Sequence, residues 1–231
     1  MPAPPSIRPF ARVGAIGLAV FVFSAVLLRV FPSDAGPMPP GFSTPIIAFE
    51  FVSTAQEAAS LFQVSDPPAF AAAMDRGNQL DFIYLLLYGG FLFAFHRRAA
   101  QLYGPSMAAR IAMALAVIAP LADIAENIQL FGITEAVMAG QDVEPYLGPL
   151  AIFTRIKWGA LSLGFIAGAI ALWPHGRGPK FIALATAGST LQLVAALFDR
   201  RLTEIYTVSI AVMFLGLVLF CFLVKQPPSD P

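Results

Sequence analysis

Charge is what this sequence has least of. Only 12% of its 231 residues are Asp, Glu, Lys or Arg, while 58% are hydrophobic. A soluble domain of this length needs far more charge to cover its surface, which sets that class aside. Fourteen basic and fourteen acidic residues cancel, and no basic patch occurs, so nucleic acid is not an expected partner. The lone cysteine, Cys221, excludes an internal disulfide, and its apolar surroundings suit a packing role. Histidine is nearly absent too. His96 and His175 form no spaced ligand set, so no metal site is expected. The chain also lacks a GxSxG elbow and a glycine-rich phosphate loop, and no cofactor is implied.

Long apolar runs are what the sequence has instead. Six stretches, about 13–31, 78–97, 107–131, 150–173, 181–198 and 204–224, approach or exceed the roughly 20 helical residues that cross a hydrocarbon core. The expected fold class is all-α: a polytopic membrane protein with six transmembrane helices, built as a single integral membrane domain over residues 1–231. A cleaved signal peptide competes for the first run, since Ser33-Asp34-Ala35 offers small residues to a peptidase. The run exceeds the usual core of a signal, about 7–15 residues, which favours a retained span. Arg8, Arg12, Arg97, Arg98, Arg110, Arg177, Lys180 and Lys225 fall on one set of connections. That side is expected to be cytoplasmic, with both termini on it, in a bacterial-type inner membrane. Every acid except Asp230 falls toward the other side.

Residues 32–77 form the outer connection. Five prolines and two glycines over 32–45 predict irregular chain. From Ile46 to Phe62 the pattern is amphipathic. Ile47, Phe51, Ala55, Ala58 and Phe62 mark one face, and Glu50, Ser53, Glu57 and Ser60 the other. This predicts one helix, lying on the membrane or capping the bundle. Asp66-Pro67-Pro68 then predicts the cap and first turn of a short helix over Ala69–Arg76, closed by Gly77. In the fourth span Ala160, Gly164 and Gly168 recur every four residues, a seam for close helix approach or for a homo- or hetero-oligomer.

The stretch Leu121–Leu130 carries the chemistry. Asp123, Glu126 and Asn127 stand at i, i+3 and i+4, on one helical face, inside an apolar run. A charge near the bilayer centre costs about 2.5–3.5 kcal/mol on insertion scales, so it is rarely there without a partner or a task. Arg155 and Lys157 in the fourth span supply the opposite charge. At the helical rise, Asp123 lies roughly 20 Å beyond Arg110, and Arg155 roughly 9 Å from Pro149 on the other side, which brings them to one level. Asp81, Tyr84 and Tyr88 share a face of the second span, and Gln192 and Asp199 one of the fifth; these approach the same slab.

The plain reading is a structural salt bridge between Asp123 or Glu126 and Arg155, with the remaining charges at helix ends. Three functions compete with it or use it. In the first, Arg155 and Lys157 hold an anionic or oxygenated head of a membrane lipid or other amphiphile. Asp123 or Glu126 then serves as general acid or base, Asn127, Asp81, Gln192 and Asp199 contribute polar contacts, and Tyr84, Tyr88 and Trp158 form walls. In the second, the carboxylates load and release protons in a small transporter. In the third, the chain is an accessory subunit without chemistry.

Overall fold

The computed structural model describes residues 9–175 and 199–224. Every regular element in that set is helical. Besides two single-turn 3-10 helices, Trp173–His175 and Arg200–Leu202, these are in chain order α1 (Ala11–Val30), α2 (Pro45–Glu50), α3 (Ala55–Leu61), α4 (Pro67–Tyr103), α5 (Met107–Ala139), α6 (Glu144–Leu172) and α7 (Thr203–Leu223). Five of them, α1, α4, α5, α6 and α7, are long and apolar enough to cross a membrane. The expected fifth span, 181–198, lies outside the described residues, and Gln192 with it.

Local chemistry sets the helix ends. Asp66 caps α4 by accepting from the Ala69 amide at 3.0 Å, and Pro67 and Pro68 occupy a first turn that needs no amide donors. Ser106 caps α5 through the Ala109 amide at 3.1 Å. That helix stops at Gly140, left-handed at φ 65°, where the Gln141 amide reaches back to the Ala136 carbonyl at 2.8 Å. Pro120 lies inside α5 without ending it. Gly89 of α4 packs there, and a Cβ on it would come within 2.8 Å of the proline ring.

Two expectations are corrected in the segment before α4. The short helix does not close at Gly77, because α4 runs through it unbroken for 37 residues. Gly77 is a contact point: a Cβ there would stand 2.2 Å from the Phe31 ring, so its bare backbone lets the end of α1 approach. The amphipathic stretch is two helices rather than one. Thr54 starts α3 by accepting from the Glu57 amide at 3.2 Å, and the Glu57 carboxylate returns to the Ser53 amide at 2.8 Å. This N-cap, with the Glu57 carboxylate holding the residue before it, outweighs the continuous helix that periodicity suggested.

Around α2 and α3 the larger part of the apolar surface is buried in protein. Phe49, Val52, Leu61 and Phe62 pack with Phe70 and Met74 of α4, Leu130 and Ile133 of α5, and Leu147 and Leu150 of α6. At about 1.5 Å per residue α4 is roughly 55 Å long, well beyond a hydrocarbon core of about 30 Å, and its surplus turns help build this headpiece. The second core fills the opposite end, with Phe10, Phe91, Phe95, Phe214 and Phe220 among its rings. The Ala160–Gly164–Gly168 seam is used within the chain: all three are buried, with Gly168 against His96 and Gly164 against Leu115. The outer faces of the long helices remain apolar, with Val22, Leu28, Leu86, Ile128, Leu163 and Val208 exposed.

Candidate functional site

Between the two apolar cores lies one polar layer. On α4 the headpiece core ends at Met74 and the other begins at Leu85; Asn78 and Asp81 stand between. On α5 the corresponding bounds are Leu130 and Ala119, enclosing Asp123, Glu126 and Asn127. On α6 they are Leu150 and Ala160, enclosing Thr154, Lys157 and Trp158. The helical period thus brings one polar turn from each helix to the same level.

Lys157 is the hub. Its ammonium pairs with Glu50 at 3.0 Å, with Asp123 at 3.3 Å, and most closely with Glu126. Three carboxylates thus share one ammonium, and Glu126 accepts its hydrogen bond. The acids are bonded in turn. Tyr88 donates to Asp123 at 2.8 Å, Thr154 donates to Glu126, and the Trp158 indole donates to Glu50 at 3.2 Å. Asn127 donates to Asp81 at 2.8 Å. Behind Trp158, the Tyr206 hydroxyl donates to its carbonyl at 2.9 Å, and this fixes α7 against α6. Glu126 is fully enclosed, whereas Asp123 reaches the cavity described below.

Glu50 escaped the sequence reading, which put it on the water-facing side of the amphipathic helix. It turns inward instead, its side chain only 11% exposed. Burial pushes its carboxyl above the usual range; Lys157 opposes that shift and Asp123 adds to it. A signal was present: Glu50 is the single charge in Pro45–Val52. Arg155 is the converse. It is exposed and forms no ion pair among the described residues, so the expected Arg155 partnership is replaced by Lys157 alone. Residues two apart on a helix point to nearly opposite sides, so Arg155 and Lys157 could not both face α5. Asp199 is exposed as well, and accepts from the Arg201 amide at 3.0 Å in the turn before α7. Glu204 anchors the irregular loop to α7, accepting from the Ser43 and Thr44 amides at 2.6 Å each.

A cavity of about 540 Å³ adjoins the hub. Its polar wall holds Glu50, Asn78, Asp81, Asp123, Asn127 and Lys157, with Tyr84, Tyr88 and Trp158 beside them. Its other wall is apolar, from α1 (Val20, Leu27, Leu28) and α7 (Ile210, Ala211, Phe214). The headpiece residues Ser43, Ile46 and Ile47 complete the lining. Counting Glu126 behind them, the layer holds four carboxylates and, among the described residues, one ammonium that pairs with three of them, so the arrangement is rich in acceptors. Among the described residues, no group of His, Cys, Asp and Glu side chains is arranged to hold a metal ion. No protein-family model, curated protein or solved structure matches this chain.

Proposed function

We propose that this chain is an integral membrane protein whose cavity binds a membrane-resident amphiphile. The head sits against the polar layer, and the tail lies along α1 and α7. One observation carries this reading: a single cavity joins a polar wall to an apolar one, and at about 540 Å³ it falls within the range of small-molecule sites. Leu28 and Ala211, exposed on the outer faces of their helices, also line it, which supports entry from the side. In this reading 181–198 completes a six-span bundle, both termini are cytoplasmic, and the headpiece lies outside. The segregation of basic residues supports that orientation. Any chemistry is proton transfer through Asp123, which lines the cavity and contacts both Tyr88 and Lys157. Glu126, enclosed behind it, can relay protons only through Lys157 or Thr154.

Transport is the weaker reading. Among the described residues, the end opposite the headpiece is filled by phenylalanine rings, a poor route for protons or polar solutes. Native mass spectrometry of the protein extracted with its own lipids tests the proposal. A retained amphiphile is expected in wild type and absent in Ala211→Trp, which fills the apolar wall and leaves the charges alone. Identical spectra for the two folded proteins would overturn it. Cysteines at Gln56 and Gln101 should react with an impermeant thiol reagent from opposite sides; labelling of both from one side refutes the orientation.

A further inference from the structure

The cavity wall specifies more than amphiphilicity. Lys157 is already paired with Glu50, Asp123 and Glu126, so an anionic head would have to compete with three carboxylates for it. Asp81 is placed differently. One oxygen accepts from Asn127, no cation pairs with it among the described residues, and it faces the cavity. One turn earlier on the same face of α4 is Asn78, 1% exposed and lining the same space. Its amide nitrogen has no hydrogen-bond partner among the described residues. A buried donor left unmade is costly, and the complement that relieves it is an oxygen brought by whatever fills the cavity. Aromatic groups stand around the two. Tyr84 and Tyr88 pack edge to face with centroids 5.5 Å apart, and Trp158 and Phe214 lie on the same lining. Ring faces attract cations, most strongly where water is excluded.

Building on the amphiphile reading, we infer that the ligand is a long-chain amine with an oxygen on a neighbouring carbon. Its ammonium meets Asp81, its oxygen accepts from Asn78, and its chain follows Val20, Leu27 and Phe214. Side chains at i and i+3 of a helix are near neighbours, so the nitrogen and oxygen of one small head can reach both. A cation also offsets part of the negative excess around Lys157, which an anionic head would deepen.

The test uses the full-length protein in phosphatidylcholine nanodiscs and three photoreactive probes with identical tails. These are a long-chain 2-amino alcohol, the corresponding 1,2-diol and the corresponding carboxylate. Labelled peptides are identified by mass spectrometry. The amino alcohol should label α1 and α7 peptides about tenfold more than the diol, the equivalent of one charge-assisted contact, with the carboxylate weakest. Asp81→Asn should lower the amino alcohol to the level of the diol and leave the diol unchanged. Asn78→Leu should weaken both the amino alcohol and the diol. Equal labelling by amino alcohol and diol, or a preference for the carboxylate, overturns the inference and leaves the amphiphile site standing. That comparison needs only wild type, so a variant that fails to fold does not blunt it. If no probe labels the cavity peptides of wild type, the amphiphile reading falls as well.

Discussion

Replacing Lys157 by Met keeps the length of the side chain and removes the one cation that the described residues bring to the polar layer. Three carboxylates then lose their common partner: Glu126, which lies closest, Glu50 at 3.0 Å and Asp123 at 3.3 Å. At an effective dielectric near 20 each such contact is worth roughly 5 kcal/mol before desolvation, so the bare repulsion would be severe. The folded variant has an escape, which is to bind a proton. Protonating a carboxylate with an ordinary value near 4.3 costs about 3.7 kcal/mol at pH 7. The expected loss of stability is therefore roughly 4 kcal/mol per stranded acid that must be neutralised, close to the loss typical of a broken buried pair. The sign with pH follows. The folded variant holds a proton that the unfolded chain releases above about pH 4.3, so its stability falls as pH rises. The deficit relative to wild type should grow by about 1.4 kcal/mol per pH unit above that point and vanish below it. Denaturant titration in detergent, followed by far-ultraviolet circular dichroism at several pH values, measures it. Adding Glu126→Gln should restore part of the loss at pH 7. A deficit that is the same at every pH, with no recovery in the double variant, would mean that Lys157 acts by packing and that the charge argument is wrong.

Other substitutions probe neighbouring features. Arg155→Leu should change stability by no more than about 0.5 kcal/mol in the same titration, since Arg155 is exposed and outside the ion pairs. Glu50→Gln should loosen α2 and α3 while α5 and α6 stay protected, read as faster amide exchange confined to residues 31–66. Gly77→Ala would gain about 1 kcal/mol in an ordinary helix interior, yet here the clash with Phe31 should outweigh that gain by about 1–3 kcal/mol. Adding Phe31→Ala should remove the clash, and a stabilising single variant would refute the close approach.

Much of the polar layer was legible because a carboxylate in an apolar run is conspicuous. Asp123, Glu126 and Asn127 announced a shared face, and the structure brings all three to the layer. The choice between Arg155 and Lys157 was legible too, though the expectation left both open. The small-residue seam at Gly164 and Ala160, continued toward the start of α6 at helical spacing, passes through Lys157 and Thr154 and misses Arg155. Glu50 was harder. Its partners lie 107 and 108 residues away on α6, and nothing in a local pattern reports contacts at that separation. The break at Phe51–Thr54 was hidden for another reason. The apolar spacing carries across it, while the Thr54–Glu57 cap that interrupts the helix leaves the periodicity unchanged.

The hub also imposes an order on biosynthesis. Glu126 and its cation are 31 residues apart, so at about 5–20 residues per second the ribosome adds Lys157 roughly 2–6 s after Glu126. During that interval the polar turn of α5 holds Asp123 and Glu126 without the cation that pairs them, a poor candidate for release into lipid by itself. Delivery of α5 and α6 as one hairpin removes the difficulty. Glu50, made long before, must wait for Lys157 to arrive, so the headpiece closes last although its chain comes first.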